Sequence, residues 1–143
     1  MQPFRLPEEY AGRKNETDFI NYLEQQPDKI EWWFKNGTGK DALSFKYIDK
    51  QTKKDRFFYP DWIIKFKDNR VGIYDTKGGI TAKSQETKDK AECLAKHITE
   101  LNQTSEKYKY VGGIIEMRSG IWYLNSSTEY IYEKGADWHP FLV

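Results

Sequence analysis

The sequence predicts an α/β domain in which a central mixed β-sheet is flanked by helices. Three observations predict it. Residues 57 to 79, FFYPDWIIKFKDNRVGIYDTKGG, hold two apolar runs of strand length separated by Asp68-Asn69-Arg70, a turn-forming triplet. The segment Lys83 to Asn102 instead places Ala91, Leu94, Ala95, Ile98 and Leu101 at helical spacing. Tyr108 to Met117 is a further apolar strand, and a strand reached through a crossover helix runs parallel to its neighbour.

Taken in order, the first 13 residues, with Pro3 and Pro7, read as an arm or linker remnant before a single domain over residues 14–143. A chain of 143 residues has room for one core. Asn15 is placed to cap a helix from Glu16 to about Gln26, with Asp18 in the capping-box region, and Pro27-Asp28 stops it. In that helix Glu16, Ile20 and Leu23 fall at i, i+4 and i+7, so Glu16 lies on the stripe that faces the sheet. Ile30 to Asn36, Leu43 to Asp49, Phe57 to Lys67 and Arg70 to Lys77 follow as four strand candidates, and their succession predicts an antiparallel meander. Ile121 to Leu124, after Ser119-Gly120, adds a hairpin to the Tyr108 strand. The elements read in order as one helix, four strand candidates, a crossover helix and a final pair of strands.

The chemistry-bearing residues gather at one place in this scheme. Alternation along residues 71 to 77 puts Val71, Ile73, Asp75 and Lys77 on one strand face and Gly72, Tyr74 and Thr76 on the other. The predicted hairpin brings Asp61 alongside Asp75. An acid-x-lysine tripeptide recurs by chance on the order of three times in a chain with 22 acidic residues, so the spacing alone means nothing. Glu86-Thr87-Lys88 has the same spacing in a polar stretch. Only Asp75-Thr76-Lys77 has an apolar lead-in, an upstream Pro60-Asp61 and a Gly78-Gly79 exit. Two carboxylates and a lysine at the ends of adjacent buried strands are what a metal-dependent phosphodiesterase needs. Glu16 is the helix carboxylate best placed to join them, with Glu24 as the alternative.

Glu16 in a first helix, Pro60-Asp61, Asp75-x-Lys77 and a lysine-bearing helix after them resemble the PD-(D/E)xK nuclease superfamily. More narrowly, the chain is similar to the C-terminal endonuclease domain of type III restriction enzyme Res subunits, in IEWWFKN (Ile30 to Asn36), FYPDWIIKFKDNRVGIYDTKG, KDKAECLAKHI (Lys88 to Ile98) and the aromatic segment around Trp138. The resemblance spans most of residues 14 to 139. It implies a restriction-endonuclease-like sheet with an α-β-β-β-α-β core and hydrolysis of DNA to 5′-phosphate and 3′-hydroxyl ends. It also implies double-stranded DNA as substrate, with a helicase-like ATPase region and a modification and recognition subunit as partners. Asp61, Asp75, the Thr76 carbonyl and Glu16 offer hard oxygen ligands suited to Mg²⁺ or Mn²⁺. Lys77 is the residue to orient or deprotonate the attacking water and to stabilise charge on the phosphate. Lys90, at the edge of the apolar stripe of the second helix, is the first DNA-contact candidate, followed by Lys83 and Lys88.

Other classes fit less well. Gly37-Thr38-Gly39-Lys40 has Phe34 and Asp41 where a phosphate-binding loop needs glycine and Ser or Thr, so it reads as a turn. The lone Cys93 allows neither an internal disulfide nor a cysteine-based metal site and falls on an apolar helix face. A formal net charge of +1 requires any nucleic-acid contact to come from a local patch. Without a signal peptide or an apolar run of membrane-spanning length, a soluble cytoplasmic protein with no membrane partner is expected. His97 and His139 lack metal-ligand spacing. Most of Trp32, Trp33, Phe34, Phe57, Phe58 and Tyr59 are expected in the core. Two alternatives stand beside the nuclease: a catalytically silent relative that only binds nucleic acid or a partner subunit, and an unrelated α/β enzyme.

Overall fold

The computed structural model describes residues 14–142, so the arm expected at residues 1–13 lies outside the described residues. In chain order the elements are α1 (Lys14–Glu24), β1 (Ile30–Lys35), β2 (Phe45–Ile48), β3 (Asp55–Phe58), β4 (Trp62–Phe66) and β5 (Arg70–Thr76). A single helical turn, α2 (Gly79–Ala82), precedes the long helix α3 (Gln85–Thr104), after which come β6 (Lys109–Arg118), β7 (Ile121–Asn125) and β8 (Trp138–Pro140). Six strands form one mixed sheet in the order β1-β4-β5-β6-β7-β8; β2 and β3 form a separate hairpin. The crossover through α3 makes β5 and β6 parallel, as the sequence predicts, while the other neighbours are antiparallel. Asn15 lies inside α1 and not at its cap.

The four-strand meander does not form. Residues 43–49 leave the sheet, and the run 57–67 is two strands, β3 and β4, broken at Tyr59-Pro60. Pro60 has no N–H to give to a ladder. The Asn36 side chain fixes the break, its Nδ2 donating to the carbonyls of Leu43 and Pro60, both at 2.9 Å, while its backbone N–H donates to Asp61 O at 2.7 Å. β1 therefore pairs directly with β4, with Lys35 opposite Trp62. The displaced hairpin turns Phe45 and Phe58 onto α3, where they pack with Ile73, Cys93 and Leu94.

Each sheet face has its own helix. On one face α1 buries Phe19, Ile20 and Leu23 against Trp62, Ile64, Tyr74, Ile115, Trp122 and Phe141. Burying each such side chain stabilises the fold by roughly 1.5–3 kcal/mol relative to exposure. On the other face α3 brings Ala91 against Ile114 and Leu94 against Ile73. Ser84 caps α3, its hydroxyl accepting from the Thr87 N–H at 3.1 Å. Two-residue turn chemistry joins β6 to β7, where Ser119 and Gly120 both take positive φ, 51° and 79°.

Among the aromatics, Phe58 is buried and Trp33 packs on Trp62, but Trp32, Phe34 and Phe57 stay 42 %, 45 % and 58 % exposed, against the expectation of core burial. β1 is the edge strand, and α3 packs over β6, so the outer part of that face has no helix to cover it. Among the described residues no helix is long and apolar enough to cross a membrane.

Candidate active site

Register builds the site. The antiparallel pairing of Trp62 with Tyr74 continues one step to bring Asp61, just before β4, to Asp75 near the end of β5. The Asp61 N–H donates to Asp75 Oδ1 at 3.0 Å. Asp61 Oδ2 accepts from both the N–H and the hydroxyl of Thr76, each at 3.3 Å, and Trp62 Nε1 donates to that hydroxyl at 3.3 Å. Asp75 and Lys77 share a site as alternation requires, with Lys77 Nζ 3.0 Å from Asp75 Oδ2.

Strand alternation also divides the site. Ile73 and Asp75 belong to the face covered by α3, whereas Tyr74 and Thr76 belong to the α1 face. Glu16 reaches the carboxylates from α1 through Lys35, the last residue of β1, whose Nζ lies 3.2 Å from Glu16 Oε1 and 3.0 Å from Asp61 Oδ1. Asp61, Asp75 and Lys77 thus converge at the end of the sheet, and Glu16 joins them only by way of an ammonium group.

The charges are strained by burial. Asp75 is 2 % exposed, and its carboxyl is pushed up to about 7, first by desolvation and then by the Asp61 charge beside it. The Lys77 ammonium favours the ionised form, but burial outweighs it. Burial works in the same direction on Asp61, yet the Lys35 charge and the surrounding hydrogen bonds hold that carboxyl below the usual carboxylate range. Lys77 is held above the ordinary lysine value: desolvation opposes its charge, and Asp75 and Asp61 more than restore it. The Asp61–Asp75 pair therefore retains a proton more readily than isolated carboxylates do, because two adjacent buried carboxylates resist ionising together.

A hard divalent cation fits this donor set. Asp75 Oδ2 is buried without a hydrogen bond, although an ammonium stands near it. Mg²⁺ binds through one or two carboxylates and keeps several waters, so Asp61 and Asp75 are oxygen donors of the kind it takes. Among the described residues no three Asp, Glu, His or Cys side chains form a metal cluster, so Glu16 is not a third direct ligand in this arrangement.

The lysines expected to meet DNA do not share one patch. Lys90 pairs with Glu86 at 2.9 Å and lies over the Phe58 ring. Glu86 is held below the usual carboxylate range by Lys90 first, with the Lys77 charge contributing. Lys88 is instead tied to Glu92 and to the Tyr130 carbonyl, both at 2.9 Å, and Lys83 lies over the Tyr132 ring. Those two belong with the C-terminal segment: Lys83 precedes the cap of α3, and Lys88, two residues before Lys90 on the helix, faces away from it.

Two contributors carried no functional assignment in the sequence. Lys35 and Asn36 lie at the end of the IEWWFKN strand, where a polar pair after an apolar run was the available signal. Glu116, on β6 beside the end of β5, is buried and receives Arg118 Nε at 2.6 Å and the Tyr132 hydroxyl at 2.9 Å. Cavities of about 540 Å³, between α3 and the β2–β3 hairpin, and about 420 Å³, beside Tyr74 and Phe141, lie away from the carboxylates. No protein-family model matches the chain, and no curated protein or solved structure is found to match it.

Proposed function

We propose that the protein is a divalent-metal-dependent endodeoxyribonuclease of the PD-(D/E)xK type, resembling the cleavage domain of type III restriction enzymes. The observation that carries this reading is the convergence of Asp61, Asp75 and Lys77 by register and alternation, with the buried Asp75 carboxylate held between the Asp61 N–H and the Lys77 ammonium. A binding module has no need to bury two carboxylates beside a lysine, since the arrangement costs stability.

Asp61 and Asp75 would hold Mg²⁺ or Mn²⁺, which when bound polarises the scissile phosphate and acidifies water. The chain's own residues supply the rest. Thr76 fixes the Asp61 carboxylate through its amide and hydroxyl, so one donor is preorganised. Lys77, part-buried and kept charged by Asp75, stabilises negative charge as it builds on the phosphate and orients the attacking water. Lys90 neutralises a neighbouring DNA phosphate. Partner subunits for DNA recognition and ATP-driven translocation belong to the same reading.

Nicking of supercoiled plasmid tests it. The wild-type chain should nick in Mg²⁺ or Mn²⁺, stop in EDTA and lose activity in Asp75→Asn. Cleavage undiminished in Asp75→Asn would overturn the assignment.

A further inference from the structure

Building on the metal-dependent reading above, we propose that Lys35 is the internal counter-ion of the metal site. Its ammonium occupies the gap between Glu16 and Asp61 and must leave Asp61 before a divalent cation binds with full affinity.

The geometry is that of a cation held in a built cradle. Lys35 Nζ lies 3.2 Å from Glu16 Oε1 and 3.0 Å from Asp61 Oδ1, and 4.9 Å from the centre of the Trp62 ring. Two hard oxygens and an aromatic face thus surround one ammonium. All three side chains are largely withdrawn from solvent, at 30 %, 19 % and 23 % exposure for Lys35, Glu16 and Asp61. The elements that supply them come from separate parts of the chain, α1, β1 and the start of β4, so the cradle is made by the fold.

The second ammonium of the site behaves differently. Lys77, just past the end of β5, pairs with Asp75 two residues before it, its Nζ 3.0 Å from Asp75 Oδ2. Asp61 Oδ2 is engaged by Thr76, which leaves Oδ1, the atom Lys35 holds, as the oxygen of Asp61 that a metal would take. A monovalent and a divalent charge cannot both sit against one oxygen without strong repulsion. Lys35 has a route out, because its side chain is the most exposed of the three. Lys35 therefore stabilises the carboxylates while metal is absent and sets a threshold for metal entry.

Calorimetric titration of Mn²⁺ into the metal-free full chain at pH 8 tests this. Lys35→Gln, which keeps a hydrogen-bond donor and removes the charge, should bind Mn²⁺ at least about tenfold more tightly than wild type. Lys35→Arg, which keeps the charge, should stay within about threefold of wild type. The melting temperature of metal-free Lys35→Gln should fall, and recover with Mn²⁺ by more than that of wild type. A merely structural lysine would give the fall in melting temperature with unchanged or weaker Mn²⁺ affinity, and that result overturns the proposal. Should Lys35→Gln fail to fold, the wild-type chain answers by NMR. The Lys35 ammonium signal, assigned by its absence in Lys35→Arg, should be visible without metal and lost on adding Mg²⁺; a signal unchanged at saturating Mg²⁺ refutes the idea. Binding that Asp75→Asn abolishes, but that is equal in wild type and Lys35→Gln, removes only the role of Lys35. No Asp75-dependent binding in either protein removes the nuclease reading with it.

Discussion

Replacing Asp75 by Asn should change the stability of the metal-free protein in a direction that depends on pH. The carboxyl is raised from 3.8 to about 7 in the fold, so the folded state retains a proton that the unfolded chain has released. A raised carboxyl contributes stability at low pH and loses it as pH climbs through the folded value. Ionising this carboxyl therefore costs the fold about 4 kcal/mol by pH 8.5, at 1.36 kcal/mol for each tenfold change in proton affinity. Asn cannot ionise. It keeps an acceptor for the Asp61 N–H and loses the ion pair with Lys77, a change that matters little at pH 5, where Asp75 is already neutral. Between pH 5 and pH 8.5 the wild type should lose about 3 kcal/mol relative to Asp75→Asn. Urea denaturation in EDTA at half-unit pH steps measures the difference directly. Parallel pH profiles for the two proteins would refute the argument that Asp75 is held protonated by burial and by Asp61. Adding Mn²⁺ at pH 8.5 should reverse the order, since only the wild type offers two carboxylates to the ion.

Other outcomes follow from the same geometry. Lys77→Met should lose on the order of 10²- to 10³-fold in cleavage rate while Mn²⁺ binding measured by calorimetry stays nearly intact; cleavage at the parental rate would move the role to Lys90. Asn36→Ala strands the Leu43 N–H and the Leu43 and Pro60 carbonyls, so chemical denaturation should show a loss of roughly 2–3 kcal/mol. Leu94→Ala, at a fully buried position between α3 and the hairpin, should cost about 2–5 kcal/mol without altering the metal affinity of the folded protein. Ser84→Ala removes the cap of α3 and should cost about 1 kcal/mol, detectable as a lower melting temperature.

The local features of the site were legible because they depend on short-range rules. Asp75 and Lys77 are two residues apart in a strand, and a period of two puts them on one face whatever the strand packs against. Asp68-Asn69 carries turn chemistry, and a tight antiparallel turn fixes which residues lie opposite, so Asp61 met Asp75. The apolar stripe of α3 and the parallel strand after it were equally visible, because amphipathic spacing and the crossover rule operate within one supersecondary unit.

The meander failed for a reason that no window of residues contains. Leu43 to Asp49 has the composition of a strand, and which partner it takes depends on the Asn36 clamp, on the break at Pro60 and on the apolar surface of α3 some 40 residues later. Lys88 and Lys90 look alike in sequence, yet the rotation of α3 against the sheet sends one to Tyr130 and the other to Glu86 and Phe58. Sequence by itself determined the α/β class, the parallel crossover and the Asp61, Asp75, Lys77 trio, since periodicity and turn chemistry act over a few residues. Tertiary structure alone decided that Lys35 stands between Glu16 and Asp61 and that Asp75 is buried enough to hold its proton, because both follow from which distant segments pack together and exclude water.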